Sequence, residues 1–182
     1  MRLFLRKSKS KPSSKEPRLS ISRKYDLKPG RSYIVQESPP HMSFDAFVNI
    51  VSTSPGGTGG KTLGIAVTRQ HPELVREKYE LEDTPIYWLA TRTGDKVISP
   101  TNLGILAQTL VKFVENVSDG IILLDGIEYL VSNNDFNKVL RTVNQINDNI
   151  TQSGSRMILP VDPRAFDRKE LALLMRNMEK LG

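Results

Sequence analysis

The stretch Asp119-Gly-Ile-Ile-Leu-Leu-Asp-Gly-Ile-Glu-Tyr-Leu-Val131 decides the fold. Ile121 to Leu124 form an unbroken apolar run. A run without alternation suits a strand buried on both faces, as in the middle of a parallel sheet. Asp125 ends the run and Gly126 lets the chain turn. Open parallel sheets bind ligands beyond the carboxyl ends of their strands. Asp125 and Glu128 are therefore predicted at such a rim.

Downstream, Asn134 or Asp135 opens a helix whose apolar face is Phe136, Val139, Leu140, Val143 and Ile146. Its Asn and Gln residues read as a solvated face. Arg156 to Val161 is the next strand, and Pro160 within it suggests an end or edge position. It stops at Asp162-Pro163. Asp167 is expected to cap a last helix, Arg168 to about Lys180, with Leu171, Leu174, Met175 and Met178 as its core stripe.

Upstream, Leu27-Lys-Pro-Gly30 is a turn and Ser32 to Gln36 a strand. A helix over Phe44 to Val51 is expected to be capped by Ser43, with Phe44, Phe47, Val48 and Val51 on one face. Residues 62–68 read as a strand, and a helix follows from Pro72 to Tyr79. Ile86 to Ala90 is a strand that carries the sole tryptophan, Trp88, expected in the core. Ser99 and Pro100 read as the cap and first residue of a helix running to about Val117. Strands alternating with helices predict an α/β domain: three layers, a mostly parallel sheet flanked by helices. At its carboxyl rim the pattern gathers Arg69, Arg92, Asp125, Glu128, Asp162 and Arg164. These charges make either a binding crevice or a network that pairs internally and caps helices.

The net charge of +6 belongs to one end of the chain. Residues 1–24 hold nine Lys or Arg against one Glu, leaving seventeen basic against nineteen acidic residues in 25–182. The first segment, rich in Lys, Ser and Pro, reads as a disordered basic tail, and 25–182 as a single α/β domain. Arg2, Arg6, Lys7, Lys9, Lys11 and Lys15 are the tail's candidate contacts to a polyanion, either an anionic membrane or nucleic acid. The apolar start of the tail is too short for a signal peptide or a membrane span. A cytoplasmic protein is expected, with peripheral membrane contact through the tail as an option. The absence of cysteine excludes disulfides and thiol chemistry. His41 and His71 fall near prolines, in loops or at a helix start, and no metal site is expected.

Ser54-Pro-Gly-Gly-Thr-Gly-Gly-Lys-Thr62 resembles a phosphate-binding P-loop, G-x-x-x-x-G-K-[ST], with Pro55 in the first glycine position. A P-loop needs a strand before it and a helix after it, so that phosphate meets a helix start. Here the predicted order is reversed, which favours a helix-to-strand connection. Four hydrophobic residues and an aspartate at 121–125 are also the pattern of the magnesium-holding strand of nucleotide-binding ATPases. Without a phosphate cradle, and with no acid directly after Asp125, ATP hydrolysis is not expected. No G-x-S-x-G elbow marks a serine hydrolase.

Several stretches in order are similar to the archaeal domain-of-unknown-function 835 family. They are Ala66 to Arg69, Leu81 to Leu89, Ile98 to Thr101, Leu123 to Val131 with Asn133-Asn134, and Val161 to Pro163. The similarity spans roughly residues 27–181. It implies an archaeal source and an α/β domain resembling a nucleotide-binding ATPase core without a functional P-loop. It implies no activity and no cofactor. The expected function is a non-catalytic protein-interaction or signalling module with an unknown protein partner. Alternatives are a degenerate nucleotide-binding ATPase-like protein and nucleic-acid binding through the tail.

Overall fold

A computed structural model describes residues 24–52 and 62–182. Residues 1–23 of the basic tail and nearly all of the glycine loop, Lys61 included, lie outside the described residues. Seven strands form one parallel sheet, β1 (Arg31–Gln36), β2 (Gly64–Thr68), β3 (Ile86–Leu89), β4 (Val97–Ile98), β5 (Ile121–Leu124), β6 (Arg156–Val161) and β7 (Glu179–Lys180). Their spatial order is β4-β3-β2-β5-β6-β1-β7. Six α-helices accompany them: α1 (Met42–Ser52), α2 (Pro72–Tyr79), α3 (Leu103–Asn116), α4 (Ile127–Asn133), α5 (Phe136–Ser153) and α6 (Arg168–Met175). The expected mostly parallel α/β sheet is present.

The apolar run is the strand it was read to be. All four residues of β5 are buried, between β2 on one side and β6 on the other. Successive side chains of a strand point to opposite faces. Thus Ile122 and Leu124 join a core with α3, α4 and α5, while Ile121 and Leu123 join a second core with Phe44, Phe47 and Ile50 of α1 and Val75 of α2. Two helical layers enclose the sheet. Gly64 lets α1 lie close against β2, because a Cβ there would sit 2.7 Å from Val51 Cγ2 and 2.8 Å from Phe47 Cζ.

Several boundaries differ from the sequence reading. Ser43 lies inside α1 and is buried. The cap is instead Glu37, at the end of β1, whose carboxylate accepts the N–H groups of His41, Met42 and Ser43 at 3.0, 2.8 and 3.0 Å. Three donors on one carboxylate satisfy most of the orphan groups of a helix start. Helix α3 begins at Leu103, after Ser99 and Pro100, with Asn102 Oδ1 accepting from Ile105 N–H. Asp167 does cap α6 through a full capping box with Glu170. That helix stops at Met175, and Glu179–Lys180 turn into an edge strand beside β1. Pro160 sits in an interior strand, but beyond the ladder with β5, which ends at Leu123↔Ile158. Its missing N–H therefore breaks no pairing with β5.

Candidate functional site

The strand order reverses between β2 and β5: the chain moves outward from β2 to β3 and β4, then resumes on the other side at β5. Crevices form at such points, above the carboxyl ends. In this protein the two strand ends are joined. Asp125 N–H donates to Val67 O at 2.8 Å, and Thr68 Oγ1 donates to Asp125 Oδ2 at 2.6 Å. Arg69 N–H adds a long 3.4 Å contact to the same oxygen. Asp125 is 7% exposed. Burial, which disfavours the charged form, pushes its pKa up; the bonds from Thr68 and Arg69 oppose that, and the Glu37 charge adds to it.

Beside this bridge lies a cavity of about 200 Å³, lined by Glu37, Ser38, Pro40, Asp125, Glu128, Pro160, Val161 and Asp162. Four carboxylates face it, and each already has a partner. Glu37 caps α1. Glu128, in the first turn of α4, accepts Asp162 N–H at 2.5 Å. Its pKa is raised by burial first, then by the Asp125 and Asp162 charges. Asp162 accepts Arg164 N–H at 3.0 Å at the start of a 3-10 turn, and pairs with the Arg164 guanidinium at 2.7 Å. Those bonds hold its carboxyl well below the usual carboxylate range. Among the described residues, no group of three or more His, Asp or Glu side chains is placed to hold a metal ion.

The six predicted rim residues therefore divide. Asp125, Glu128 and Asp162 meet at the cavity. Arg164 stands at its edge, exposed, against Asp162. Arg69 and Arg92 do not join it, since both lie on the β2–β3 side. Arg69 crosses to Leu89 O at 2.5 Å and stacks its guanidinium 3.8 Å over the Tyr129 ring. Gly126, at φ +106, makes room for that, because a Cβ there would lie 2.7 Å from Arg69 Cγ. Trp88 is half-buried rather than enclosed in the core. Its Nε1 donates to Arg69 O at 3.2 Å, His71 meets its ring edge-on at 4.9 Å, and Arg92 lies 5.9 Å from its centroid. Sequence reasoning missed Glu37, Thr68 and Tyr129 as parts of this rim. Their position at or just after the ends of β1, β2 and β5 was the available signal.

The family model described as "Protein of unknown function (DUF835)" matches residues 59–178. The chain belongs to that family. The DUF835 match begins at the glycine loop, so β1 and α1 lie before it, a shorter span than the resemblance suggested. Comparison with curated proteins gave no match. Two solved structures from Pyrococcus horikoshii OT3 are similar to the DUF835 chain. One, from a structural study of project PH0250, has TM-score 0.54 and 12% identity over 84% of this chain and 80% of its own. The other is KaiC-like protein PH0186, with TM-score 0.52 and 16% identity over 76% of this chain. This chain spans 65% of that protein. At these identities the likeness is one of fold, an α/β architecture shared with a KaiC-like protein. No helix among the described residues is long and apolar enough to cross a membrane.

Proposed function

We infer that this DUF835 chain is a non-catalytic protein-interaction module, docking its partner on the β2–β3 shoulder of the rim. One observation carries this: the switch-point crevice is bridged by the Thr68–Asp125 hydrogen bond and lined beside it by carboxylates. A triphosphate brought there would meet negative charge in a poorly solvated setting, where repulsion is strong. The described flanks of the glycine loop, α1 before it and β2 after it, are the reverse of the strand-then-helix order that a P-loop uses. The shoulder offers the opposite chemistry. Arg69, Arg92, Trp88 and Tyr129 are of the residue types that dominate protein interfaces. They are partly or fully exposed, and Leu74 on neighbouring α2 is 63% exposed. Two arginines on aromatic rings favour a partner with an acidic segment.

The nucleotide-binding alternative rests on the ATPase-like fold alone. Melting with and without Mg²⁺–ATP separates the two, because a ligand specific to the native state raises the melting temperature by mass action. An unchanged melting temperature supports the interaction module. A rise of several degrees supports the nucleotide alternative instead.

A further inference from the structure

Strand β3 separates two surfaces of opposite charge. Its carboxyl end carries the shoulder, where Arg69 and Arg92 are exposed beside Trp88. Its amino end follows the turn Glu80-Leu-Glu-Asp83, in which Glu80 and Glu82 are exposed. β3 has four residues. At ~3.3 Å per residue the two surfaces therefore stand about 13 Å apart along the strand. Neither Arg69 and Arg92 nor Glu80 and Glu82 form an ion pair among the described residues.

The acidic turn has a fixed backbone. Arg76 Nη1, from α2, donates to Leu81 O at 2.9 Å, Glu82 O at 3.0 Å and Thr84 O at 3.2 Å. Leu81 and Thr84 are buried and anchor the turn to the fold. Glu73 pairs with the Arg76 guanidinium at 3.8 Å, which leaves the carboxylates of Glu80 and Glu82 for an outside partner. Glu80 caps α2 in the left-handed conformation at φ +53, a position that glycine commonly fills. A turn held this way presents its carboxylates with little backbone freedom left to lose on binding, and such preorganisation favours association.

We propose, resting on the docking reading of the shoulder, that its partner is a second copy of this chain, whose turn at 80–83 is the acidic segment. Glu80 and Glu82 of one copy meet Arg69 and Arg92 of the next, with Trp88 against the turn. The two surfaces lie at opposite ends of one strand, so the contact is head-to-tail. A pair of copies leaves one shoulder and one turn unfilled, and further copies add in a row. The charges are exposed, so each ion pair is weak and screened by salt. Self-association is therefore expected at high protein concentration and low ionic strength.

Sedimentation velocity of the purified full chain tests this, from about 10 μM to about 1 mM protein, in about 50 mM and about 500 mM salt. The weight-average sedimentation coefficient should rise with concentration at low salt and stay at the monomer value at high salt. Arg92→Glu and Glu82→Arg change exposed side chains and should keep the circular dichroism and melting temperature of the wild type. Each should weaken self-association at least about fivefold, the scale of one exposed ion pair. The chain carrying both changes should regain association, because the exchanged charges attract again. An equimolar mixture of the two single variants should regain it as well. A monomer at every concentration, an association that neither change weakens, or a double variant that associates no better than the single ones would overturn the proposal. Its failure is separable from that of the docking reading. A monomeric chain that still crosslinks from position 92 to a different protein in its native cells loses the second copy and keeps the shoulder. A monomeric chain without such an adduct loses both.

Discussion

Replacing Asp125 separates a structural aspartate from a ligand-holding one. Asp125→Ala leaves the Thr68 hydroxyl without its acceptor in a site where Thr68 is wholly buried. Such a loss costs about 1–3 kcal/mol. Removing the carboxylate also relieves repulsion with Glu37, so the expected net loss at neutral pH is in the lower half, about 1–2 kcal/mol. At this chain length that is a drop of about 2–4 °C in melting temperature per kcal/mol. Asp125→Asn keeps an acceptor oxygen and discards the buried charge, so it should match or exceed the wild type at pH 7. The pH dependence has a definite sign. Burial raises the folded pKa above the ordinary 3.8, so the folded state holds the proton more tightly than the unfolded chain. The penalty for ionising Asp125 is absent below that value and fully imposed once pH passes the raised one. Wild type should therefore lose ground to Asp125→Asn as pH rises through this window. Urea unfolding of the three proteins at pH 4, 5.5 and 8, with and without Mg²⁺, measures all of this. An Asn variant as unstable as Ala, or a Mg²⁺ stabilisation of wild type that both variants lack, would refute the structural role.

Other changes test the neighbouring contacts. Glu37→Ala should cost about 1–2 kcal/mol in chemical unfolding, since one carboxylate caps three N–H groups of α1, while Glu37→Gln should recover part of it. Gly126→Ala should destabilise by about 1–3 kcal/mol and displace Arg69 from Tyr129, visible as a change in tyrosine fluorescence, because φ there is +106 and the added Cβ meets Arg69. Deleting residues 1–23 should leave a cooperatively folding chain; Lys24 N–H already bonds to Asn49 at 3.0 Å and is best kept. The same deletion should remove most affinity for heparin or anionic vesicles, and the intact chain's binding should weaken with salt.

Much of the sheet was legible because its strands are short, apolar and bounded by turn residues. Ile121–Leu124 shows the limit of that signal as well as its strength. It identified a buried central strand, and with it the position of Asp125, but not the direction of any side chain at the rim. Whether Asp125 faces a ligand or Thr68 depends on β2 being its neighbour, a contact between residues far apart in sequence. The cap of α1 escaped for a similar reason. Glu37 lies before the prolines at 39 and 40, and only the bend they make returns its carboxylate to the helix start. Seven-residue α4 and two-residue β4 and β7 are too short to show periodicity. Asn147 of α5, read as part of a solvated face, is buried, because packing with β1 and β6 widens the face the helix covers. The charges at 69, 92, 125, 128, 162 and 164 all lie near strand ends. Their separation into an acidic cavity and a cationic–aromatic shoulder follows from the strand order, which composition does not encode.

A photo-crosslinking residue in place of Arg92, in the full chain expressed in its native cells, probes the docking shoulder. The interaction module predicts a discrete protein adduct from that position, none from the same residue placed at Asp148, and loss of the adduct when Trp88→Ala is added. Adducts of equal yield from both positions, or none at position 92, would contradict docking at the β2–β3 shoulder.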